Sequence, residues 1–379
     1  MKLLYILNLA NRVNSFCISS LEAAKSLGIE YHIASNWWYS SDIERESDER
    51  KYGVRIHQID FIRSPFDLRN RKAYQQLRAL AAREKFDAVH CNTPIGGLMG
   101  RILFKGMPGV KIIYQAHGFH FFKGAPKLNW LLFYPVEKWL ARHTDAIVTI
   151  NQEDYRLATN KFKPRNGGHI YYVPGVGVDT AQFSVDNTLR QNMREKLGIG
   201  GQSIVLISMG ELNKNKNCDT AIRAVAAANN SNLHYLICGV GPEEANLKQL
   251  AENIGVSAQI HFLGFRSDIK ELLCASDIFF FTTKREGLSR SMMEAMASGL
   301  PCVASSIRGN TDLLEGVNGG FLCKTNDVAD YADKLNRLAG DPDLRKQMGD
   351  SNRAAVQKFD LETAIAAMKS VYESEFQEV

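Results

Sequence analysis

Short apolar runs recur along this chain, separated by stretches with the spacing of amphipathic helices. "LLYILN" (3–8), "YHIAS" (31–35), "RIHQID" (55–60), "DAVHCN" (87–92), "KIIYQAH" (111–117), "DAIVTIN" (145–151) and "HIYYVP" (169–174) fill the first 174 residues. These runs are continuous rather than alternating and are rich in Val and Ile, which predicts parallel strands buried on both faces with helices as crossovers. The pattern then restarts with "SIVLISMG" (203–210), "LHYLICG" (233–239), "IHFLGF" (260–265), "DIFFFTT" (277–283), "PCVASS" (301–306) and "GGFLC" (319–323). Between the two series, the polar stretch "GVGVDTAQFSVDNTL" (175–189) reads as a linker. The expectation is an α/β protein of two Rossmann-like, doubly wound domains, 1–182 and 183–360. They would face each other across a cleft at the carboxyl ends of the strands, where open sheets bind ligands. "LETAIAAMKSVYESEF" then predicts an amphipathic terminal helix within 361–379, packing back toward the first domain.

Length agrees with this reading, because 379 residues exceed what one compact core organises. The chain is 45% hydrophobic and 23% charged, the balance of a globular protein, and has no apolar run of the roughly 18 residues needed to span a bilayer. The opening "MKLLYILNLANR" turns polar after a few apolar residues, so it reads as a first strand rather than a leader, and a cytoplasmic location is expected. Cys17, Cys91, Cys218, Cys238, Cys274, Cys302 and Cys323 show neither CxxC nor Cys/His ligand spacing, so reduced thiols and no metal site are expected.

Charge changes the picture. Residues 1–180 carry 25 Lys and Arg against 16 Asp and Glu, whereas the remainder carries 21 against 25. Much of the excess lies in "RSPFDLRNRKAYQQLRALAAREK" (63–85), near the aromatic stretches "NWWYS" (36–40) and "HGFHFFKGAPKLNWLLFYPVEKW" (117–139). Two readings are open, a solvated helix face or contact with an anionic membrane surface. No signature of a nucleic-acid module accompanies it, and no nucleic-acid partner is expected.

The chemistry concentrates in "TTKREGLSRSMMEAMASGLPCVASS" (282–306). Lys284 to Ser289 follow a buried strand and form the loop at its carboxyl end. A helix then starts near Ser289 or Ser291, and the latter would make a capping box with Glu294. The unpaired amides of a first helical turn suit a diphosphate. Glu294 could accept two hydrogen bonds from a ribose diol beside that diphosphate, and Glu286 would face the group on its other side. Two carboxylates flanking a diphosphate describe a nucleotide sugar. The plainer alternative leaves Glu294 as a capping residue and Glu286 in solvent.

The segment from Gly287 to Leu322 resembles the donor-binding region of the retaining GT-B glycosyltransferases of family 4, whose signature is a Glu, seven residues, then a Glu. "GELNKNKN" (210–217), "GVGPEEANLKQLA", "FLGFRSDIKELLCASDIFF", "YQAHGF", "NQEDYRLA" and "VPGVGVDTAQF" extend the resemblance along nearly the whole chain, toward the branch that makes capsular and exopolysaccharides. The resemblance implies the GT-B fold and transfer of a hexosyl or N-acetylhexosaminyl unit from a UDP-sugar, with retention and without a metal or other cofactor. Lys216 would contact the diphosphate, Glu286 the donor-sugar hydroxyls and Glu294 the ribose. The amides of Gly287, Leu288 and Ser289 would approach sugar and phosphate, with His117 near the reacting carbon and Arg266 at the base. Gly210 and Asn215 of the "GELNKNKN" loop would line the same donor site. The acceptor would be a saccharide, lipid-linked at the inner membrane face.

Two departures from the family pattern stand out. Glu211 occupies the position where an Arg is common, and a carboxylate there would repel a diphosphate if it pointed inward. The first loop, "NLANRVNSF", lacks the glycines of many relatives, so Arg12, Asn14 and Ser15 supply acceptor-side contacts or merely shape the loop. "GVG" (239–241) has Glu244 where a dinucleotide fingerprint needs its third glycine. Asp341 and Asp343 read as turn and cap residues, not as metal ligands. A nucleotide-sugar epimerase, a sugar phosphorylase and a non-catalytic partner protein are the other functions this architecture accommodates.

Overall fold

The structure is a computed structural model describing residues 1–184 and 186–376. Val185, within the predicted linker, and residues 377–379, at the end of the terminal segment, lie outside the described residues. The chain forms two compact units, Met1–Gly177 with Leu361–Val379, and Val178–Asp360.

In the first unit, chain order runs β1 (Lys2–Leu9), α1 (Ser15–Ser26), β2 (Glu30–Asn36), α2 (Asp42–Tyr52), β3 (Arg55–Gln58), α3 (Asn70–Glu84) and β4 (Ala88–Asn92). It continues with α4 (Pro94–Phe104), β5 (Lys111–Ala116), α5 (Lys127–Ala141), β6 (Ala146–Thr149), α6 (Gln152–Lys161) and β7 (His169–Tyr172). Among the described residues the strands form one parallel seven-stranded sheet, ordered β3-β2-β1-β4-β5-β6-β7. Each strand coincides with one of the Val/Ile-rich runs, because a sheet covered on both faces admits few polar side chains: Leu3 to Ile6 and Ile112 to Ile113 have no exposed surface. Local chemistry sets the helix starts. Ser41 and Glu44 close a capping box on α2, and the Asn151 side chain accepts from the Asp154 amide at the head of α6.

The second unit comprises α7 (Asn187–Leu197), β8 (Ile204–Met209), α8 (Cys218–Ala227), β9 (Leu233–Cys238), α9 (Glu244–Asn253), β10 (Ile260–Gly264), α10 (Ile269–Ala275) and β11 (Ile278–Phe281). It ends with α11 (Arg290–Ala297), β12 (Cys302–Ser305), α12 (Asn310–Leu314), β13 (Gly320–Cys323), α13 (Val328–Gly340) and α14 (Pro342–Val356). Its parallel sheet has, among the described residues, the order β10-β9-β8-β11-β12-β13. In both sheets the order reverses beside the first strand, between β1 and β4 and between β8 and β11. That is the point where a doubly wound sheet opens a crevice for ligands.

One boundary differs from the reading of the polar linker. Val178 and Phe183 are buried, the Val178 amide donates to the Phe359 carbonyl at 3.1 Å, and Thr180 Oγ1 donates to Asp360 at 2.6 Å. Residues 178–182 therefore pack with the second unit despite their polar neighbours. The terminal helix α15 (Leu361–Phe376) belongs to the first unit, where it packs on α1. It places the Tyr372 hydroxyl 2.7 Å from His90 Nδ1 and Glu375 within 3.0 Å of His169 Nδ1.

Among the described residues no helix is long and apolar enough to cross a membrane. Trp37 of the "NWWYS" stretch is core, its indole N–H donating to the His57 carbonyl, while Trp38 and Tyr39 are exposed.

Candidate active site

The crevice of the second unit is built from the loops after β8 and β11. The loop of Gly210 to Asn217 is stitched to the β11 loop: the Lys284 amide donates to the Asn215 carbonyl at 2.8 Å, Asn215 Nδ2 donates to the Arg285 carbonyl at 3.0 Å, and Thr282 Oγ1 donates to the Asn217 carbonyl at 2.9 Å. These bonds bring Lys216 to Glu286, 70 residues away in sequence, with Nζ donating to Oε1 at 2.6 Å. The ammonium also stands over the Phe281 ring, 4.8 Å from its centroid. Gly210 is needed here: it has φ of +148°, and a Cβ on it would sit 2.8 Å from Lys216 Cε.

Glu286 is held from behind as well. Thr283 Oγ1 lies 3.2 Å from its carboxylate, and Arg308 Nε donates to its backbone carbonyl at 3.1 Å. Beside Arg308, Gly309 takes φ of +82°, which lets its backbone close on the Gly287 carbonyl; a Cβ would meet that oxygen at 2.5 Å. Sequence reasoning missed Thr283 and Arg308. The signal for Arg308 was a basic residue three positions after a buried strand and next to a glycine.

The predicted capping box between Ser291 and Glu294 does not form. Ser289 is the N-cap of α11, accepting from the Met292 amide at 3.3 Å, so Ser291 is already inside the helix. Glu294 instead receives Arg290 Nε at 2.9 Å, one turn back. Burial raises the Glu294 carboxyl above its ordinary range, with the Arg290 charge opposing. Leu288 anchors the loop by packing its side chain on the core below.

Two other predicted residues have local partners. Arg266, after β10, forms a two-pronged ion pair with Asp268, one contact at 2.7 Å. Glu211 is exposed. Asp341 accepts from the Leu344 amide as the N-cap of α14. Among the described residues there is no cluster of three His, Cys, Asp or Glu arranged to hold a metal.

His117 lies in the first unit, just past β5, at that sheet's own crevice. Its Nε2 is 2.9 Å from Asn92 Oδ1, at the end of β4. Asn92 Nδ2 donates to the His90 carbonyl, so Oδ1 accepts and the proton sits on His117 Nε2, leaving Nδ1 as an acceptor. Burial depresses the imidazole to about 4, so it is neutral at pH 7. Thr93, next to Asn92, has φ of +62°, a rare geometry for a β-branched residue, held by a 2.8 Å hydrogen bond to Asn8 at the end of β1.

The first loop is shaped by the side chains proposed for acceptor contacts. Arg12 clamps buried Asp48 at 2.9 and 2.6 Å, with the Val13 amide donating to the same carboxylate. The Asn14 side chain caps α1 by accepting from the Phe16 amide, and Ser15 is the first helical residue, partly exposed.

Solved structures share this architecture over the whole chain. An Anabaena protein, HepE, solved with UDP-glucose, superposes with a TM-score of 0.80 at 20% identity over 99% of this chain and 100% of that one. Sucrose-phosphate synthase from Thermosynechococcus elongatus gives 0.82 at 17% identity, covering both chains fully. The fold is GT-B. Family models match on both units, Glycosyltransferase Family 4 over residues 13–182 and Glycosyl transferases group 1 over 190–355. The Bacillus subtilis (strain 168) protein EpsD, named as a glycosyltransferase, is 35% identical over 376 residues, spanning 98% of this chain and 96% of its own. An Escherichia coli relative, UDP-Gal:alpha-D-GlcNAc-diphosphoundecaprenol alpha-1,3-galactosyltransferase, is 28% identical over 80% of each chain. The chain belongs to the group 1 glycosyltransferases, with a family 4 amino-terminal domain.

Proposed function

We propose that this enzyme moves a hexosyl or N-acetylhexosaminyl unit from a UDP-sugar, with retention and without a metal, to a saccharide acceptor carried on a lipid, in capsule, exopolysaccharide or O-antigen synthesis. The observation that carries the reading is the Lys216–Glu286 pair at the β8/β11 crevice, with Glu294 one turn inside the following helix. In this assignment Lys216 leaves Glu286 for the diphosphate and stabilises the charge that develops on the departing UDP. The carboxylate it releases then accepts from donor-sugar hydroxyls. Glu294 accepts from the ribose diol, and the amides of Gly287, Leu288 and Ser289 approach sugar and phosphate beside Asn215 and Gly210. Arg266 serves the base, held in place by Asp268. Neutral His117 serves the reacting carbon through the backbone and side chain it presents at the first unit's crevice.

The lipid-linked acceptor draws support from the E. coli relative's name and from α5. On that helix Leu128 is 60%, Leu131 71% and Val136 43% exposed, alongside Trp130 and Trp139. Apolar and aromatic residues on an exposed helix, with Lys127 and Lys138 among them, suit the interface of an anionic bilayer. We assign the enzyme to the inner membrane face as a peripheral protein.

Thermal unfolding against UDP, GDP and ADP tests the donor class, since a ligand at 100 times its Kd adds about 2.7 kcal/mol of stability. A shift with UDP alone is expected. A shift with GDP alone moves the donor to another nucleotide class, and no shift with any nucleotide overturns the transferase reading.

A further inference from the structure

The first unit contains a cavity of about 440 Å³ beneath α5, within the range of pockets that hold drug-sized ligands. Its wall is apolar: Phe16, Phe66, Leu98, Phe121, Phe133 and Val136 supply much of it. His117 lies in the same wall, so the cavity reaches the crevice of the sheet. Glu137 is the one charged side chain among the described lining residues. Its charge is answered by fully buried Arg101, whose two terminal nitrogens reach it at 2.8 and 3.0 Å. Arg101 in turn stacks on Tyr114, 3.6 Å from the ring centroid. The wall therefore presents no uncompensated charge to an occupant.

The cavity is continuous with the exposed surface. Leu132 and Val136 line it from α5 while remaining partly exposed, and Phe66 at its rim is 84% exposed. Exposed cations neighbour the rim in sequence: Arg63, beside Pro65 and Phe66, Lys123, in the loop ahead of α5, and Lys127, the first residue of α5. An apolar chamber with cations at its rim and a crevice histidine in its wall is complementary to an apolar chain that ends in an anionic group.

We propose that this cavity binds the first isoprene units of the acceptor's polyprenyl chain, with the chain's diphosphate at the cationic rim and the saccharide directed toward His117. The proposal rests on the lipid-linked acceptor assigned above. It makes the enzyme a reader of the lipid as well as of the sugar, and predicts that chain length governs KM rather than kcat.

The test is a binding measurement on the full chain that requires no sugar transfer. Farnesyl diphosphate and inorganic diphosphate are titrated while tryptophan fluorescence is followed. Two substitutions fill the cavity, Leu98→Trp and Val136→Trp; the second is at an exposed position that tolerates a larger side chain without refolding. Farnesyl diphosphate is expected to bind at least ten-fold more tightly than inorganic diphosphate, and each substitution to weaken it at least ten-fold with an unchanged unfolding midpoint and an unchanged UDP response. Equal affinity for the two probes overturns the proposal, as does full retention of farnesyl diphosphate binding in both variants. A UDP response that persists in either case leaves the transferase reading standing, so the two failures are distinct.

Discussion

Lys216 and Glu286 neutralise one another across 2.6 Å at the carboxyl ends of neighbouring strands β8 and β11. The pair joins two groups assigned to different parts of one donor, so each residue controls the other's availability. Glu286→Gln removes the partner charge while keeping a hydrogen-bonding side chain. Turnover is expected to fall at least 100-fold with UDP affinity kept or improved, because Lys216 no longer has to leave an ion pair. Steady-state kinetics beside UDP titration by calorimetry read both numbers; a parallel loss of both would remove the assigned division of labour.

Glu294→Ala is expected to weaken UDP at least ten-fold while changing UDP-sugar discrimination little. The carboxylate must be ionised to accept from a diol, and burial raises its pKa. Affinity for UDP should therefore decline as pH falls from neutrality toward that raised range. In Glu294→Gln this decline should be absent. Identical pH profiles for wild type and Glu294→Gln would rule the ribose contact out.

Arg308 acts on Glu286 through the backbone, donating to its carbonyl. Removing a buried charge-assisted donor costs about 1.5–3 kcal/mol. Arg308→Ala should lower kcat about ten-fold or more, because the Glu286 loop loses its tether, and Arg308→Lys should recover part of that. A purely structural arginine would shift the unfolding midpoint equally in both variants and leave kcat of the folded enzyme intact.

Arg101 and Glu137 form a buried pair linking α4 to α5. Breaking such a pair by removing one partner costs about 3–5 kcal/mol, since the other charge is stranded. Glu137→Ala should destabilise the first unit by that order in urea unfolding. Pairing it with Arg101→Met is expected to restore most of the loss, because an apolar replacement of both partners strands nothing.

Burial depresses His57 and His117 to about 4 and His90 to about 3, and lowers His143, His234 and His261 as well. A histidine whose folded pKa lies below its unfolded value near 6.5 takes up its proton more readily when unfolded. Between about pH 6.5 and 4 the unfolded chain therefore holds more protons, and stability rises with pH across that window. The unfolding midpoint should fall steadily on acidification below pH 6.5, and His117→Asn should make that slope shallower.

Both sheets were legible because a strand covered on two faces must be an unbroken apolar run, and every such run became a strand. The position of the Lys284–Ser289 loop was legible because a polar stretch after such a strand has only the sheet mouth to occupy. Pairings across long separations were not: nothing near Lys216 announces Glu286, and nothing near Arg12 announces Asp48. The helix start was misplaced by two residues because Ser289 and Ser291 can each cap a helix; Ser289 caps it here, with Met292 rather than a glutamate at the third helical position, so no capping box forms. On α5, nothing in the sequence separates Leu140 from Leu131; only the packed structure distinguishes the first, buried, from the second, exposed.

The chain leaves its first unit at Gly177 and rejoins it at Leu361, and these two points are neighbours: a Cβ on Gly177 would lie 2.8 Å from the Leu361 Cα. In terms of gene architecture, the second unit is a cassette inserted into an otherwise continuous first unit. A duplication or exchange that cut at those two codons would replace the second unit and leave the first sheet's strand order, the α15 helix and the exposed apolar residues of α5 untouched. On the donor and acceptor assignments proposed above, new donor sugars can thus be acquired without rebuilding the acceptor surface.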